Sequence, residues 1–260
     1  MDLNTACPEK VVDAETAVSK IKNGCRVFIG TGCGEPQHLI RTMVEDLNMQ
    51  DIMVYQMLSS TFARYVDDPR FLRRFSLKLF FISSSMRKAA FEGKIDYIPT
   101  YLSQIPRYFA NRRIGLDVAL IQVSPPDRFG YCSLGVSVDI TRAGMQNAKL
   151  VITQVNPRMP RTGGDSYVHI DDIDYFVKYE EPLVEALPSI KDKETATIDV
   201  GGEVPFLTTT INDSTATSTR TFSQQAVREE RISGDRLRLD TTAVETNIHW
   251  PTDASLLWDT

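Results

Sequence analysis

The sequence offers little material for a metal centre or a disulfide framework. Its 260 residues include three histidines and four cysteines, and no two cysteines form a C-x-x-C pair. A zinc site would need ligands that only the fold could bring together, so the spacing favours isolated buried thiols. We therefore expect no bound metal and no cofactor, and unpaired thiols fit a reducing, cytoplasmic compartment.

Long apolar runs and an excess of basic residues are also missing. No apolar stretch approaches the roughly 20 residues that a membrane span requires. The amino terminus, MDLNTACPEKVVDAE, is polar and acidic, unlike a secretory signal. Lysine and arginine number 29 against 34 aspartates and glutamates, a net charge of −5. This balance lacks the basic footprint of a nucleic-acid binder, so we expect neither membrane nor nucleic acid among the partners.

The residues that are present form short apolar runs separated by helical stretches. Asp13 suits a helix N-cap, Gly24 can end that helix, and Pro36 suits the first position of the next. Near-continuous apolar strands are typical of a parallel sheet covered on both faces. The predicted strands are 26–29, 52–57, 77–82, 118–123 and 150–155. We predict an open α/β domain over residues 1–188, with a mainly parallel sheet and helices on both faces.

A glycine-rich segment, Gly30-Thr-Gly32-Cys-Gly34-Glu35-Pro36, lies between a predicted strand and a predicted helix. Glycines there would let main-chain N–H groups approach an anion at the start of the helix. The spacing is not G-x-G-x-x-G, because Glu35 occupies the place of the last glycine. A tight turn that needs a positive φ explains the same residues, so this loop alone leaves both interpretations open.

Two further polar loops follow the predicted strands at 118–123 and 150–155. Loops at the carboxyl ends of parallel strands are where α/β sheets bind ligands. The first contains Ser124 before two prolines, and a rigid proline corner explains it equally well. The second contains Arg158 and Arg161, which suit either an acidic ligand or a solvated structural loop.

Together, the three stretches resemble the N-terminal half of the acetyl-CoA hydrolase/transferase family, which includes 4-hydroxybutyrate and acetate CoA-transferases. The matching phrases are GTGCGEPQHLI at 30–40, ALIQVSPPDRFGYCSLGVSVD at 119–139 and VNPRMPRTGGDSYVHIDDIDYFV at 155–177. The resemblance implies an open α/β domain, one of two related halves, that acts on an acyl-CoA and a small carboxylate. Coenzyme A is then part of a substrate, and the implied protein partner is a second copy or a separate C-terminal half.

The resemblance also implies covalent catalysis by a glutamate. In this family the glutamate attacks the thioester, an acyl-glutamyl anhydride forms, and the released thiolate converts it to a glutamyl-CoA thioester. Such chemistry needs a carboxylate nucleophile and N–H donors for the oxyanion. The glutamate and most CoA contacts belong to the second half, and the first half lines the pocket. The positions assigned to that wall are Gly32, Gly34, Glu35, Ser59, Ser124 and Asn156.

Beyond residue 188 the sequence departs from the family. Glu203 lies in Gly201-Gly202-Glu203, but its surroundings do not match, so no catalytic residue is assigned. Residues 189–221 contain a segment crowded with Thr and Ser, and they predict a disordered linker. Residues 222–260 resemble the start of an Asp-Asp-Glu transposase core, with Asp240 as its first carboxylate, and we expect this fragment to fold poorly.

We therefore expect a CoA-transferase N-terminal domain that stops before the catalytic glutamate, in a gene interrupted by an inserted element. An inert folded remnant without turnover is one alternative. A transposase fragment that binds DNA is another, which the net charge of −5 and the two missing carboxylates disfavour.

Overall fold

The computed structural model describes residues 1–185. The predicted linker at 189–221 and the transposase-like fragment at 222–260 lie outside the described residues, and so do Glu203 and Asp240.

Nine strands are present in the described part of the chain, and seven of them form one sheet. The strands are β1 (Arg26–Ile29), β2 (Ile52–Gln56), β3 (Phe75–Leu79), β4 (Asp96–Tyr97), β5 (Val118–Val123), β6 (Tyr131–Ser133), β7 (Leu150–Val155), β8 (Tyr167–His169) and β9 (Tyr175–Lys178). The sheet order is β4-β3-β2-β1-β5-β7-β9, with every neighbouring pair parallel. β6 and β8 pair antiparallel as a separate two-stranded sheet. The predicted open α/β sheet is confirmed.

Helices cover both faces of this sheet. They are α1 (Leu3–Ala6), α2 (Ala14–Val18), α3 (Gln37–Glu45), α4 (Pro69–Arg74), α5 (Arg87–Phe91), α6 (Ile105–Ala110) and α7 (Thr141–Asn147). Short 3₁₀ turns lie at Pro8–Lys10, Gly32–Gly34, Thr61–Arg64, Ser84–Met86, Leu102–Gln104 and Ile170–Asp172. Within residues 1–185, every helix is too short or too polar to cross a membrane.

The core consists of two apolar layers, one on each side of the sheet. Helices α2 to α5 contribute to one layer, and α1, α6, α7 and the two-stranded β6–β8 sheet contribute to the other. Because both faces are covered, all six residues of β5 are buried. On the second face, Phe28 of β1 packs against Phe109 of α6, with ring centroids 5.6 Å apart. This burial explains why the central strands are apolar on both sides.

The helix ends differ slightly from those predicted. Asp13 does cap α2, because its carboxylate accepts the N–H of Thr16 at 2.6 Å. The helix nevertheless ends at Val18, and the chain continues through tighter turns, with Lys20 bonded to Ala17. Pro36 precedes α3 as its N-cap instead of occupying the first helical position. At the end of α2, three-residue backbone hydrogen bonds replace the last helical turn that was expected before Gly24.

The sheet is extended first on one side of β1 and then on the other, so the strand order reverses between β1 and β5. From β1, the chain adds β2, β3 and β4 on one side and later places β5, β7 and β9 on the other. The loops after β1 and β5 therefore diverge at the carboxyl edge of the sheet. In open α/β sheets, such a switch point forms the crevice where ligands bind.

Candidate functional site

The loop after β1 is held against the loop after β2 by Thr31. Thr31 donates its hydroxyl to the main-chain oxygen of Leu58 at 3.0 Å and accepts the N–H of Leu58 at 2.8 Å. Gly32 has a φ of +59°, and no atom lies within 4 Å of the place where its Cβ would be. Gly34 is packed so closely that a Cβ would lie 2.4 Å from the Cβ of Ser137. The first glycine therefore provides the turn, and the second permits close packing.

Glu35 follows these glycines and is fully buried. One carboxylate oxygen accepts the N–H of Ser60 at 2.6 Å, and the other accepts the N–H of Thr61 at 2.8 Å together with the Thr61 hydroxyl. Burial raises the pKa of the Glu35 carboxyl, and the hydrogen bonds from Thr61 and Ser60 oppose that rise. Glu35 thereby joins the end of β1 to the end of β2.

Ser59 lies directly before the two residues that hold this carboxylate, and it is also fully buried. Its main-chain oxygen accepts the hydroxyl of Ser83 at 2.6 Å, which ties the loop after β2 to the segment after β3. The Ser59 hydroxyl itself has no hydrogen-bond partner among residues 1–185. A buried hydroxyl without a partner is uncommon, and a polar ligand atom would satisfy it.

Three buried glutamines extend the site across the sheet, one near the end of each of β2, β5 and β7. Gln56 donates to the main-chain oxygen of Gly30 at 3.0 Å, and Gln122 donates to that of Glu35 at 2.9 Å. Gln154 is paired in register with Gln122 and donates to its side-chain oxygen at 3.3 Å. Sequence analysis missed this row. Its signal was a single amide in the last two positions of three strands that are otherwise apolar except for Tyr55 and Thr153.

Asn156 connects the glutamine row to the segment that follows β9. Its amide donates at 2.7 Å both to the side-chain oxygen of Gln122 and to the main-chain oxygen of Glu181. Its own oxygen accepts the N–H of Arg158 at 3.0 Å. Asn156 therefore reaches the main chain of Glu35 through one intermediate side chain.

Glu181 is a second residue that sequence analysis missed. Its carboxylate accepts the N–H of His38 at 3.0 Å and the amide of Gln154 at 2.7 Å, and it pairs with Arg41 at 2.7 Å. Because His38 lies at the start of the nine-residue helix α3, the negative charge also faces the positive end of the helix dipole. No sequence pattern indicated this contact, since it joins residues 140 or more positions apart.

Ser124 lies at the same edge, but its hydroxyl is engaged within the proline loop. It donates to the main-chain oxygen of Pro125 at 3.2 Å and accepts the N–H of Ser133 at 3.0 Å. It also accepts a hydrogen bond from Arg161 at 3.2 Å, and Arg161 pairs with Asp127. These contacts favour the proline-corner interpretation of this loop, with Arg161 as its internal brace.

A cleft of about 310 Å³ lies at the carboxyl ends of β5, β7 and β9. Its walls include Pro125, Pro126, Val155 and Pro157, so it borders the loops that contain Ser124 and Asn156. Glu35 and Ser59 do not line it. Among residues 1–185, no three His, Cys, Asp or Glu side chains cluster as metal ligands.

All six predicted wall positions therefore lie in loops at the carboxyl edge of the sheet. Gly32, Gly34, Glu35 and Ser59 belong to the joined loops after β1 and β2, and Asn156 is linked to them by Gln122. Ser124 lies at the same edge, but its side chain bonds within its own loop and to Arg161 instead of to the other five positions. The role of these residues in binding substrate stays a prediction.

Solved structures with this architecture define the class as CoA-transferase-like. RipA from Yersinia pestis superposes with a TM-score of 0.67 at 27% identity, over 74% of this chain and 47% of that chain. A 4-hydroxybutyrate CoA-transferase from Porphyromonas gingivalis gives a TM-score of 0.55 at 26% identity, over 73% of this chain and 44% of that chain.

Residues 1–188 match the family described as acetyl-CoA hydrolase/transferase N-terminal domain, and the chain belongs to this family. It is 42% identical over 181 residues to 4-hydroxybutyrate coenzyme A transferase of Clostridium kluyveri, covering 69% of this chain and 42% of the relative. It is 36% identical over 184 residues to succinyl-CoA:acetate/propanoyl-CoA:succinate CoA transferase of Fasciola hepatica, covering 70% and 38%. The chain thus spans less than half the length of these relatives. The family prediction for the first 188 residues is confirmed.

Proposed function

We propose that this chain takes part in CoA transfer between an acyl-CoA and a small carboxylate, by supplying the N-terminal wall of the site. The supporting observation is that Glu35 and Gln122 join three loops in a domain of this family. Those loops follow β1, β2 and β7, and they contain Gly32, Ser59 and Asn156. They lie at the carboxyl edge on both sides of the strand-order reversal between β1 and β5, the region where α/β sheets bind ligands.

The residues of this wall bind and orient instead of attacking the thioester. The resemblance assigns the nucleophilic glutamate to the part of the relatives that this chain does not match. Gly32 leaves the main chain open to an approaching group, and the buried Ser59 hydroxyl is a free donor within residues 1–185. Glu35 holds both loops in place through Ser60 and Thr61, which keeps the donors preorganised.

Small carboxylates are the proposed acceptors. The relatives that match this chain are named for 4-hydroxybutyrate, acetate and succinate. The same proposal puts the reaction in the cytoplasm, since the four cysteines are free thiols, as a reducing compartment would keep them.

The test is reconstitution with a C-terminal half. The chain is co-expressed with the part of the Clostridium kluyveri relative that it does not match, and CoA transfer from acetyl-CoA to 4-hydroxybutyrate is measured. We expect transfer by the pair. Glu35→Gln should lower kcat/KM by roughly 10- to 100-fold, because misplacing the loops misaligns the reacting groups. Glu45→Gln, at an exposed position near the end of α3, is the matched control.

Three results would contradict the proposal. A stable complex without turnover would favour the inert-domain alternative. Equal activity of the Glu35→Gln and Glu45→Gln complexes would show that Glu35 does not contribute to the wall of the site. Full transfer by the C-terminal part alone would leave this chain without a role.

A further inference from the structure

The chain that leaves β9 crosses the carboxyl edge of the sheet as a strap, which we define as residues 179–182. The ring of Tyr179 stacks on the ring of His38, with centroids 3.7 Å apart and an interplanar angle of 12°. The main-chain oxygen of Pro182 accepts the side-chain amide of Gln37 at 2.9 Å. Both ends of the strap are therefore attached to the first turn of α3.

Two adjacent glutamates in the strap have opposite surroundings. The Glu180 side chain is 58% exposed and pairs with Arg158, which is itself 56% exposed. The Glu181 side chain is only 11% exposed, and its carboxylate meets three donors, on His38, Gln154 and Arg41. An exposed ion pair contributes little, whereas charge-assisted hydrogen bonds to a shielded carboxylate are strong. Of the two, Glu181 is the residue that can hold the strap.

The main chain of Glu181 continues this attachment into the site. Its oxygen accepts the amide of Asn156 at 2.7 Å, and its N–H lies 3.4 Å from the Asn156 oxygen. Asn156 then donates to Gln122, and Gln122 donates to the main-chain oxygen of Glu35. The orientation of the Asn156 side chain therefore depends on the strap on one side and on the glutamine row on the other.

We infer that Glu181 is a positioning residue of this site. Its carboxylate fastens the strap to α3, and its main chain then holds Asn156 in the orientation that faces Gln122 and the loop of Glu35. The effect on turnover rests on the proposed function, whereas the fastening does not.

Hydrogen exchange in the full-length chain tests the fastening. In Glu181→Ala, the amide of His38 and the amides of the strap should exchange at least about tenfold faster, because the N–H of His38 loses its charged acceptor and keeps only the neutral side-chain oxygen of Gln154 at 3.2 Å. Glu181→Gln retains one oxygen for His38 and loses the ion pair with Arg41, so its exchange rates should lie between those of Glu181→Ala and those of the unsubstituted chain. Glu180→Ala should match the unsubstituted chain. Equal exchange in Glu181→Ala and Glu180→Ala would overturn the inference, and Glu181→Gln decides the case if the alanine variant does not fold.

The reconstituted transfer assay tests the positioning. Glu181→Ala should lower kcat by about tenfold and change KM for the acyl-CoA by less than about twofold, since orientation is lost and CoA binding is not. Glu181→Gln should recover part of kcat. Faster exchange with unchanged kcat would refute the positioning role. Absence of transfer by the unsubstituted pair would refute the proposed function alone, because the exchange result would still stand.

Discussion

At the scale of single residues, Gly34 has no room for a side chain. A Cβ there would lie 2.4 Å from the Cβ and 2.9 Å from the Oγ of Ser137. Gly34→Ala should therefore lower the free energy of unfolding by about 1–3 kcal/mol through overpacking, as measured by urea denaturation. Ser137→Ala should not rescue it, because the Cβ remains. Ser137→Gly in the same chain should recover part of the loss, although the bond from Ser137 to Thr141 is then missing. Equal stability of Gly34→Ala and the unsubstituted chain would show that the loop relaxes freely.

The motifs in this loop were visible in the sequence, but their separate purposes were not. Gly32 and Gly34 look alike in the sequence, yet one has a φ of +59° beside open space and the other packs against Ser137. The sequence assigned Glu35 to the wall of the site only through the family resemblance. Its burial and its bonds to Ser60 and Thr61 depend on residues about 25 positions away. Local patterns cannot report contacts at that separation.

At the scale of elements, we expect the contact between α3 and the strap to make the stability of the chain depend on pH. Burial and the charge of Arg41 lower the pKa of His38 below its usual 6.5, although Glu181 opposes this. The unfolded chain then binds the proton more readily than the folded chain, so the free energy of unfolding falls as the pH decreases below about 6.5. The control is His38→Phe, which keeps a ring against Tyr179 but cannot titrate. The melting temperature of the unsubstituted chain, measured against that of His38→Phe, should decrease as the pH is lowered from about 7 to about 5. A constant difference across that range would contradict the assignment. His169→Asn, a substitution of the other described histidine, should leave the trend in place.

The strands differ in how well sequence pattern predicted them. β1, β5 and β7 have the predicted bounds, because each is a buried apolar run with helices on both faces. β4, β6 and β8 have only two or three residues each, too few to show a period. Leu47 follows the last buried residues of α3 at apolar helical spacing, yet it lies beyond the end of the helix and is 72% exposed. Pattern is reliable where burial is continuous and weak at the ends of elements.

At the scale of the whole molecule, the chain alone should form no covalent CoA adduct. The expectation follows from the family resemblance, which places the nucleophilic glutamate in the part of the relatives that this chain does not match. Incubation of the 260-residue chain with acetyl-CoA, followed by intact-mass measurement, should show only the unmodified mass. Co-incubation with the C-terminal part of the relative should produce an adduct on that part. An adduct on Glu203, which lies outside the described residues, would contradict both the resemblance and the proposed division of the site.

The sequence by itself determined the fold class, the central strands and the family, because these depend on local burial patterns and on long stretches of matching residues. Only the tertiary structure revealed the row of Gln56, Gln122 and Gln154, and the attachment of Glu181 to α3. These polar groups are remote in sequence and meet because parallel strands end at one edge of the sheet. A buried amide or carboxylate must find partners, and the folded chain alone decides which partners lie within reach.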